Sequence, residues 1–417
     1  MMDTMQSGIL FNRRTLFAQA AAAHLAVRGA NDRLRVANVG CGRRGLLKEI
    51  IQLKDDSNLE VAAVCDTWRQ RREKAAADVK EFTGKSPDQV THFSDVLARK
   101  DIDAVIIATP DHLHSTMLIE AIKAGKDVYV EKPLAMNMKE LILAYDTVKK
   151  SDRVVQIGTQ MRSYPQSAGA RQILTSGGIG KILKVEQVRN GYSPYWMSYG
   201  SKDLVGMDIS EADVDWKSFL GNRKDRPFDP DVYRGWYGFR DFSRGPHTNL
   251  MVHFIDMVHY ATDVKFPKRV TAMGGIYRWK EKFDAPDSVE VAFDYGEGFM
   301  VRYCTVFGNS AGNLTKWYGT RGTLDAKNLG AKAHWTISGE GSGEPDKLRA
   351  ESQVPENDLG PAPHMKNFFD CVRTRKEPIA PIEAGYGHSV AVIMADEALV
   401  TGRRMIYDHS KRALHAG

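Results

Sequence analysis

Lys132 stands between Glu131 and Pro133 at the end of a short apolar run, Val128-Tyr129-Val130. In an open parallel sheet, ligands bind just beyond the carboxyl ends of the strands. A lysine delivered there, beside a carboxylate and fixed by a proline, is placed to act on a bound molecule. A second chemical signal precedes it: Gly40-Cys41-Gly42-Arg43-Arg44-Gly45, directly after the apolar run Leu34–Val39. In such a turn the first glycine permits the tight bend and the second lets the backbone approach a pyrophosphate. The third lets helix and strand pack closely. The unpaired N–H groups at the start of the following helix face the phosphates. Asp66 ends the next apolar run, 21 residues after Gly45, where a carboxylate can accept from ribose hydroxyls. This pattern points to NAD rather than NADP, with Arg69, Arg71 and Arg72 leaving some room for a 2′-phosphate.

The elements that must hold these groups are legible as alternating strands and helices. Leu59–Cys65, Asp103–Ala108, Val128–Val130 and Val154–Ile157 read as buried strands, with helical stretches at 46–53, 70–82, 116–124 and 138–150. Strands separated by helices at this spacing predict βαβ units and a parallel sheet. Beyond Gly158 the pattern changes. Helices are expected near 166–175 and 253–261, and strand-like runs at 182–189, 269–276, 288–295, 299–307, 316–324 and 333–338 succeed one another mostly without helices. These predict an antiparallel sheet. The expected fold is therefore α/β plus α+β: an N-terminal doubly wound Rossmann sheet and a C-terminal open antiparallel sheet. The chain divides into a leader at 1–31, a dinucleotide-binding domain at 32–158 and a substrate-binding α/β domain at 159–417. Residues 190–246 hold 12 aromatics where the chain average, 38 in 417, would give about five. Long loops of this composition are functional or packed by their own side chains, and the sequence leaves both readings open.

Together these residues resemble the glucose-fructose oxidoreductase / inositol dehydrogenase / MocA-like family. The resemblance rests on the glycine turn, Cys65-Asp66, Ala108-Thr109-Pro110-Asp111-His112-Leu113-His114 and Ala124-Gly-Lys-Asp-Val-Tyr-Val-Glu131-Lys132-Pro133. Gln156-Ile-Gly-Thr-Gln160, Val214-Asp-Trp216, Phe219-Leu-Gly221 and His253-x-x-Asp256 extend it toward the C-terminus. It implies oxidation or reduction of sugars, polyols and their derivatives by a nicotinamide dinucleotide. It further implies that Lys132 is the catalytic lysine and that His253 relays the substrate proton. The family usually carries an aspartate four residues before that histidine, where this chain has Asn249. An amide cannot take a proton, so the acid–base burden falls on His253 and Lys132. Thr109, Pro110, His114 and Glu131 complete the expected cofactor contacts, and Arg162, Tyr164, Tyr192, Trp236, Arg240 and His247 are the candidate substrate contacts.

Hydride transfer from a carbinol also requires the hydroxyl proton to leave. A histidine that titrates near neutrality and a lysine crowded by a cationic ring suit that task. The cofactor supplies the redox step and the protein orients the carbon. His247, His253, Asp256 and His259 also invite a metal reading, but His259 falls to the side of the helix face that His253 and Asp256 share, so no metal is expected.

Composition narrows the remaining classes. A net charge of +6 is mild, +2 of it lies in the first 30 residues, and no basic run with interleaved aromatics occurs, which disfavours nucleic acid. Cys41, Cys65, Cys304 and Cys371 form no CxxC pair, so neither a disulfide framework nor a zinc knuckle is expected. No apolar run is long enough to span a membrane. Asn12-Arg13-Arg14-Thr15-Leu16-Phe17, followed by the alanine-rich stretch to Val27, resembles a twin-arginine export signal. That route carries folded proteins, would suit a tightly held cofactor and predicts a periplasmic location; otherwise the protein is cytoplasmic. The expected partner is a small carbohydrate, with homo-oligomerisation through the antiparallel sheet. Three functions fit: an NAD-dependent sugar or glycoside oxidoreductase, a glycoside hydrolase working by transient oxidation, elimination, water addition and re-reduction, or a non-enzymatic dinucleotide-binding sensor.

Overall fold

The structure, a computed structural model, describes residues 32–42, 46–192, 204, 207–280, 283–326, 335–340, 351–352 and 363–417. The leader with its paired arginines and the turn residues Arg43, Arg44 and Gly45 lie outside the described residues, as do Tyr195, Trp196 and Tyr199.

Six strands form the N-terminal sheet: β1 (Leu34–Val39), β2 (Leu59–Cys65), β3 (Asp88–Val90), β4 (Ala104–Ile107), β5 (Asp127–Val130) and β6 (Val155–Ile157). Their order is β3-β2-β1-β4-β5-β6 and every pairing is parallel. The order reverses between β1 and β4, which opens a crevice at their carboxyl ends. β4 and β5 are buried along their whole length, as strands covered on both faces must be. The helix Met138–Lys149 shows the local logic. Asn137 caps it by accepting from Glu140 N at 2.9 Å, and Leu141, Ala144 and Val148 form its buried stripe.

The C-terminal sheet has ten strands, among them β7 (Ile182–Val188), β9 (Arg269–Gly275), β10 (Ser288–Tyr295), β11 (Phe299–Val306) and β13 (Leu314–Gly319). Gly191–Tyr192 (β8) and Gly308–Asn309 (β12) form a separate two-stranded ribbon. The ten-stranded sheet is mixed rather than wholly antiparallel, because β7 runs parallel to β11 from Met300↔Lys184 to Cys304↔Val188. The sequential neighbours β10–β11, joined by a short turn, and β9–β10, joined by a longer connection, are antiparallel as expected. β7 instead arrives from the first domain through the helix Pro165–Thr175, so no hairpin sets its direction.

Two helices fill the space behind this sheet, Met251–Thr262 and Ile382–Thr401. The second is buried almost all round, between the sheet and the Rossmann domain; a methyl at Gly385 would sit 2.8 Å from the Ile157 side chain. Burial alternates along β10 and β11, so each strand turns one face inward. On the other face Met273 (71% exposed) and Met300 (44%) meet solvent. The helix Pro363–Thr374 returns to the first domain, where Met365, Phe368 and Phe369 pack against Ile50, Val64 and Tyr129. A layer of the Rossmann sheet is thus supplied from far along the chain.

The described residues of the aromatic-rich insertion at 190–246 are held together mainly by their own rings. Trp216, Phe219, Phe228, Tyr233, Trp236, Phe239 and Phe242 cluster together, with Trp216 and Phe219 stacked at 5.1 Å. A second patch joins Leu204, Ile209 and Val214 to Trp68 of the Rossmann domain.

Candidate active site

A cavity of about 550 Å³ runs from the glycine turn to the end of β5. Gly40, Gly42, Asp66 and Arg71 line one end; Thr109, Pro110, His114, Glu131, Lys132 and Asn249 line the other. Leu204, Phe219, Tyr233 and Trp236 close it from the insertion.

The turn is shaped for a close ligand. Gly40 has φ +87°, and a Cβ there would lie 2.4 Å from Ala108 O, so only glycine lets β1 pass β4 at the crevice. At Gly42 an added Cβ would meet nothing nearer than Arg71 Nη1 at 3.9 Å, which leaves the backbone approachable. Asp66 is anchored by Cys41 N on Oδ2 (2.7 Å) and Trp68 N on Oδ1 (2.9 Å). Burial pushes its carboxyl above the ordinary range, against the pull of those two N–H groups and of Arg71 and Arg72. Of the three arginines that left room for a 2′-phosphate, Arg69 binds Asp213 and Glu73, and Arg72 donates to Asp66 O at 2.6 Å. Arg71 lines the cavity. A carboxylate facing the ribose position opposes a second anion there. These residues therefore fit an NAD-type dinucleotide, with Gly40, Gly42 and Asp66 at its adenosine–pyrophosphate side and Lys132 at the far end.

At that far end, Lys132 is 3% exposed and donates from Nζ to Asn249 O at 2.8 Å and Asn249 Oδ1 at 2.9 Å. A break between two helices makes the first bond possible. Pro246–Asn249 ends just before Met251–Thr262, and His253 N reaches Leu250 O (3.2 Å) rather than the carbonyl one residue earlier. Asn249 O therefore points at the lysine. Glu131 sits against Gly158, where a Cβ would fall 2.7 Å from its Cδ. His114 turns Nδ1 toward Pro133 O and Nε2 toward Thr109 O, each at 2.8 Å, and so ties the loops after β4 and β5 together. His112 donates from Nε2 to Phe219 O (2.8 Å) and fastens the insertion to the Rossmann domain; burial holds its ring down to about 3.

His253 lies one helical turn beyond Asn249, 8% exposed, and is not among the residues that line this cavity. Asn249, one turn earlier, does line it and touches Lys132 directly. Of the six candidate substrate contacts, Trp236 borders the cavity. Arg162 forms a two-pronged ion pair with Asp256, Nε–Oδ2 and Nη2–Oδ1 both 2.8 Å, which His388 Nδ1 joins at 3.1 Å. Burial pushes the Asp256 carboxyl up, but Arg162 and His388 outweigh it and hold it well below the usual range. Arg240 and His247 converge with Arg244 on Asp396, each at 2.8 Å. Tyr164 begins the helix Pro165–Thr175, and Tyr192 rests on Trp279 beside the β8–β12 ribbon. Of the residues considered for a metal, His259 bonds Tyr295 Oη at 2.8 Å. Among the described residues no group of three or more His, Cys, Asp or Glu is placed to hold an ion.

Sequence reasoning missed Asp111, Ser243, Phe219, Tyr233 and Asp396 as parts of these networks. Asp111 was within reach, since it sits inside the Thr109–His114 motif. Asp396 was not: it is one acidic residue on a helix distant in sequence from its three partners.

Comparison with known proteins agrees with this architecture. Residues 34–159 match the oxidoreductase family model for an NAD-binding Rossmann fold, and residues 210–405 match the model for that family's C-terminal alpha/beta domain. The chain belongs to the Gfo/Idh/MocA oxidoreductase family, and its N-terminal domain is the family's NAD-binding fold. Among curated relatives, a scyllo-inositol 2-dehydrogenase (NAD(+)) of Bacillus subtilis (strain 168) is 32% identical over 151 residues, 36% of this chain and 42% of that protein. A glycosyl hydrolase family 109 protein of Shewanella sp. (strain W3-18-1) is 29% identical over 159 residues, 37% of this chain and 34% of that protein. The chain thus aligns with less than half the length of these relatives. A levoglucosan dehydrogenase crystallised with NADH and levoglucosan shares the fold at TM-score 0.67 and 20% identity, covering 92% of this chain and 99% of that one. No helix among the described residues is long and apolar enough to cross a membrane.

Proposed function

We propose that this protein is an NAD-dependent oxidoreductase that moves a hydride between a carbinol of a sugar, polyol or glycoside and nicotinamide. The observation that carries the reading is one continuous cavity with the glycine turn and Asp66 at one end and a buried lysine at the other. Bound NAD would supply the hydride acceptor. Lys132 then holds the substrate hydroxyl and shares its proton, and Asn249 fixes the direction of the ammonium through two acceptors. The insertion walls exclude water and keep the dinucleotide in place. His253, one turn on from Asn249, does not line the cavity, so the hydroxyl proton passes to the amine of Lys132 itself. The test is to denature the purified protein, identify the released nucleotide, and assay sugars and polyols for NADH formation. Finding no nicotinamide nucleotide, and no binding of added NAD, would reject the reading.

A second reading has specific support in the family 109 glycosyl hydrolases to which this chain is similar over 159 residues. In that case the same residues serve a transient oxidation, and a glycoside panel would release aglycone without net NADH.

Two further properties belong to the proposal. The uncovered sheet face, with Met273 and Met300 exposed, is the surface through which copies of this chain associate; sedimentation of the Met273→Glu, Met300→Glu variant should show a smaller species. The twin-arginine pattern at residues 12–17 directs export to the periplasm, which fractionation of the native host tests with an Arg13→Lys, Arg14→Lys control.

A further inference from the structure

Asn249 holds Lys132 but carries no charge and takes up no proton. A carboxylate nevertheless reaches the lysine through that amide. Asp111, just beyond β4, is 2% exposed and accepts from Asn249 Nδ2 on Oδ1 at 2.7 Å. Its other oxygen, Oδ2, accepts from Ser243 Oγ at 2.7 Å, and that hydroxyl accepts in turn from Gly245 N at 3.3 Å. Both carboxylate oxygens thus receive donors, which is the arrangement an anion needs in a buried site. The amide has one orientation that satisfies both neighbours. Reversed, it would turn its NH2 on the ammonium and its oxygen on the carboxylate.

We propose that Asp111 is a positioning residue for Lys132: it orients the Asn249 amide and, as the anion behind it, sets how readily the lysine gives up its proton. This rests on the reading of Lys132 as the proton-handling group and adds a residue to that machinery on the Rossmann side of the crevice. His114 and Lys132 act on Asp111 through their charge, Lys132 acts likewise on His388, and Glu131, the residue before Lys132, lines the same cavity. Burial pushes the Asp111 carboxyl above its ordinary value, while His114, Lys132, Ser243 and Asn249 pull it back. An anion close to an ammonium favours the charged amine, so removing it releases the neutral, nucleophilic form at lower pH.

The test needs neither substrate nor turnover. The purified full-length protein is labelled with trace acetic anhydride between pH 7 and 11, and acetylation of the peptide carrying Lys132 is measured by mass spectrometry. Asp111→Asn keeps the shape and an acceptor for Asn249 but removes the charge. It should raise Lys132 labelling about 3- to 10-fold at a fixed pH below the midpoint and move the curve to lower pH. The exchanged pair Asp111→Asn with Asn249→Asp restores a carboxylate beside the lysine and should label no faster than wild type. Ser243→Ala, which leaves the charge in place, should shift the curve far less than Asp111→Asn. A folded Asp111→Asn protein whose labelling curve superposes on wild type overturns the proposal. If that variant does not fold, faster labelling of the exchanged pair overturns it instead. Should Lys132→Ala retain turnover while the labelling still responds to Asp111, the functional reading fails and the coupling stands.

Discussion

Two buried polar networks lie close together in this molecule and differ in one respect. In the first, Lys132, Asn249, Asp111 and Ser243 form a hydrogen-bonded line whose lysine borders open space. In the second, Arg162, Asp256 and His388 close on one another behind the C-terminal sheet. Both are rich in charge and both were candidates for chemistry from sequence. The difference teaches that burial and charge together do not mark a reactive site. A buried carboxylate held by both a guanidinium and an imidazole fixes elements in place; a buried cation held from behind and facing a cavity is available to a ligand.

The largest expected effect separates the two directly. Lys132→Ala should lower kcat at least about 10³-fold while dinucleotide binding, followed by calorimetry, changes little. Arg162→Met should do the reverse. Removing one partner of a buried pair costs about 3–5 kcal/mol, read as a lower urea midpoint, with any folded protein still binding NAD. If Arg162→Met abolished turnover at unchanged stability, the comparison would break.

A pH titration sharpens it further. Burial holds His112 and His259 down to about 3 and His364 down to about 4, so each is neutral in the folded state near pH 5. The unfolded chain protonates them around pH 6.5. The stability they contribute is fully present above that value and falls as pH drops through it, by up to about 1.4 kcal/mol per pH unit for each ring. Asp396 adds a later loss. Burial raises its carboxyl, but His247, Arg244 and Arg240 bring it down to about 2, so its contribution disappears between the ordinary carboxylate range and that value. Urea melts at pH 7.5 and 5.5 should show the first decline, and equal stability at the two would contradict it.

The smallest effect concerns the cavity's adenosine end. Asp66→Ser should weaken NAD about 10-fold and narrow its preference over NADP, measured by competitive binding. Tyr233→Ala, which opens the wall packed on Trp68 at 6.1 Å, should speed dinucleotide release by a similar factor in stopped flow.

Much of the first domain was legible before any coordinates. The apolar runs ending at Val39, Cys65, Ile107 and Val130 are strands, and the groups written at their ends, Gly40, Asp66, Thr109 and Lys132, line one cavity. Less of the second domain could be read. Arg162, Arg240 and His247 looked like ligand contacts because the partners that occupy them, Asp256 and Asp396, are far away in sequence. The aromatic insertion was open between two readings. Its rings mostly pack on one another, and Phe219, Tyr233 and Trp236 are the ones that reach the cavity.

What the sequence determined by itself is whatever depends on near neighbours along the chain: strand periodicity, the glycine whose φ a turn requires, the caps of helices and the residue that follows each strand. Tertiary structure decided which charges meet. Coulomb attraction and hydrogen bonding act across space, so whether an arginine binds a ligand or a buried carboxylate depends on what the fold brings within about 3 Å of it. The same physics brought Asn249, 117 residues away, onto Lys132. It also set Asp111, 138 residues from that asparagine, behind them both.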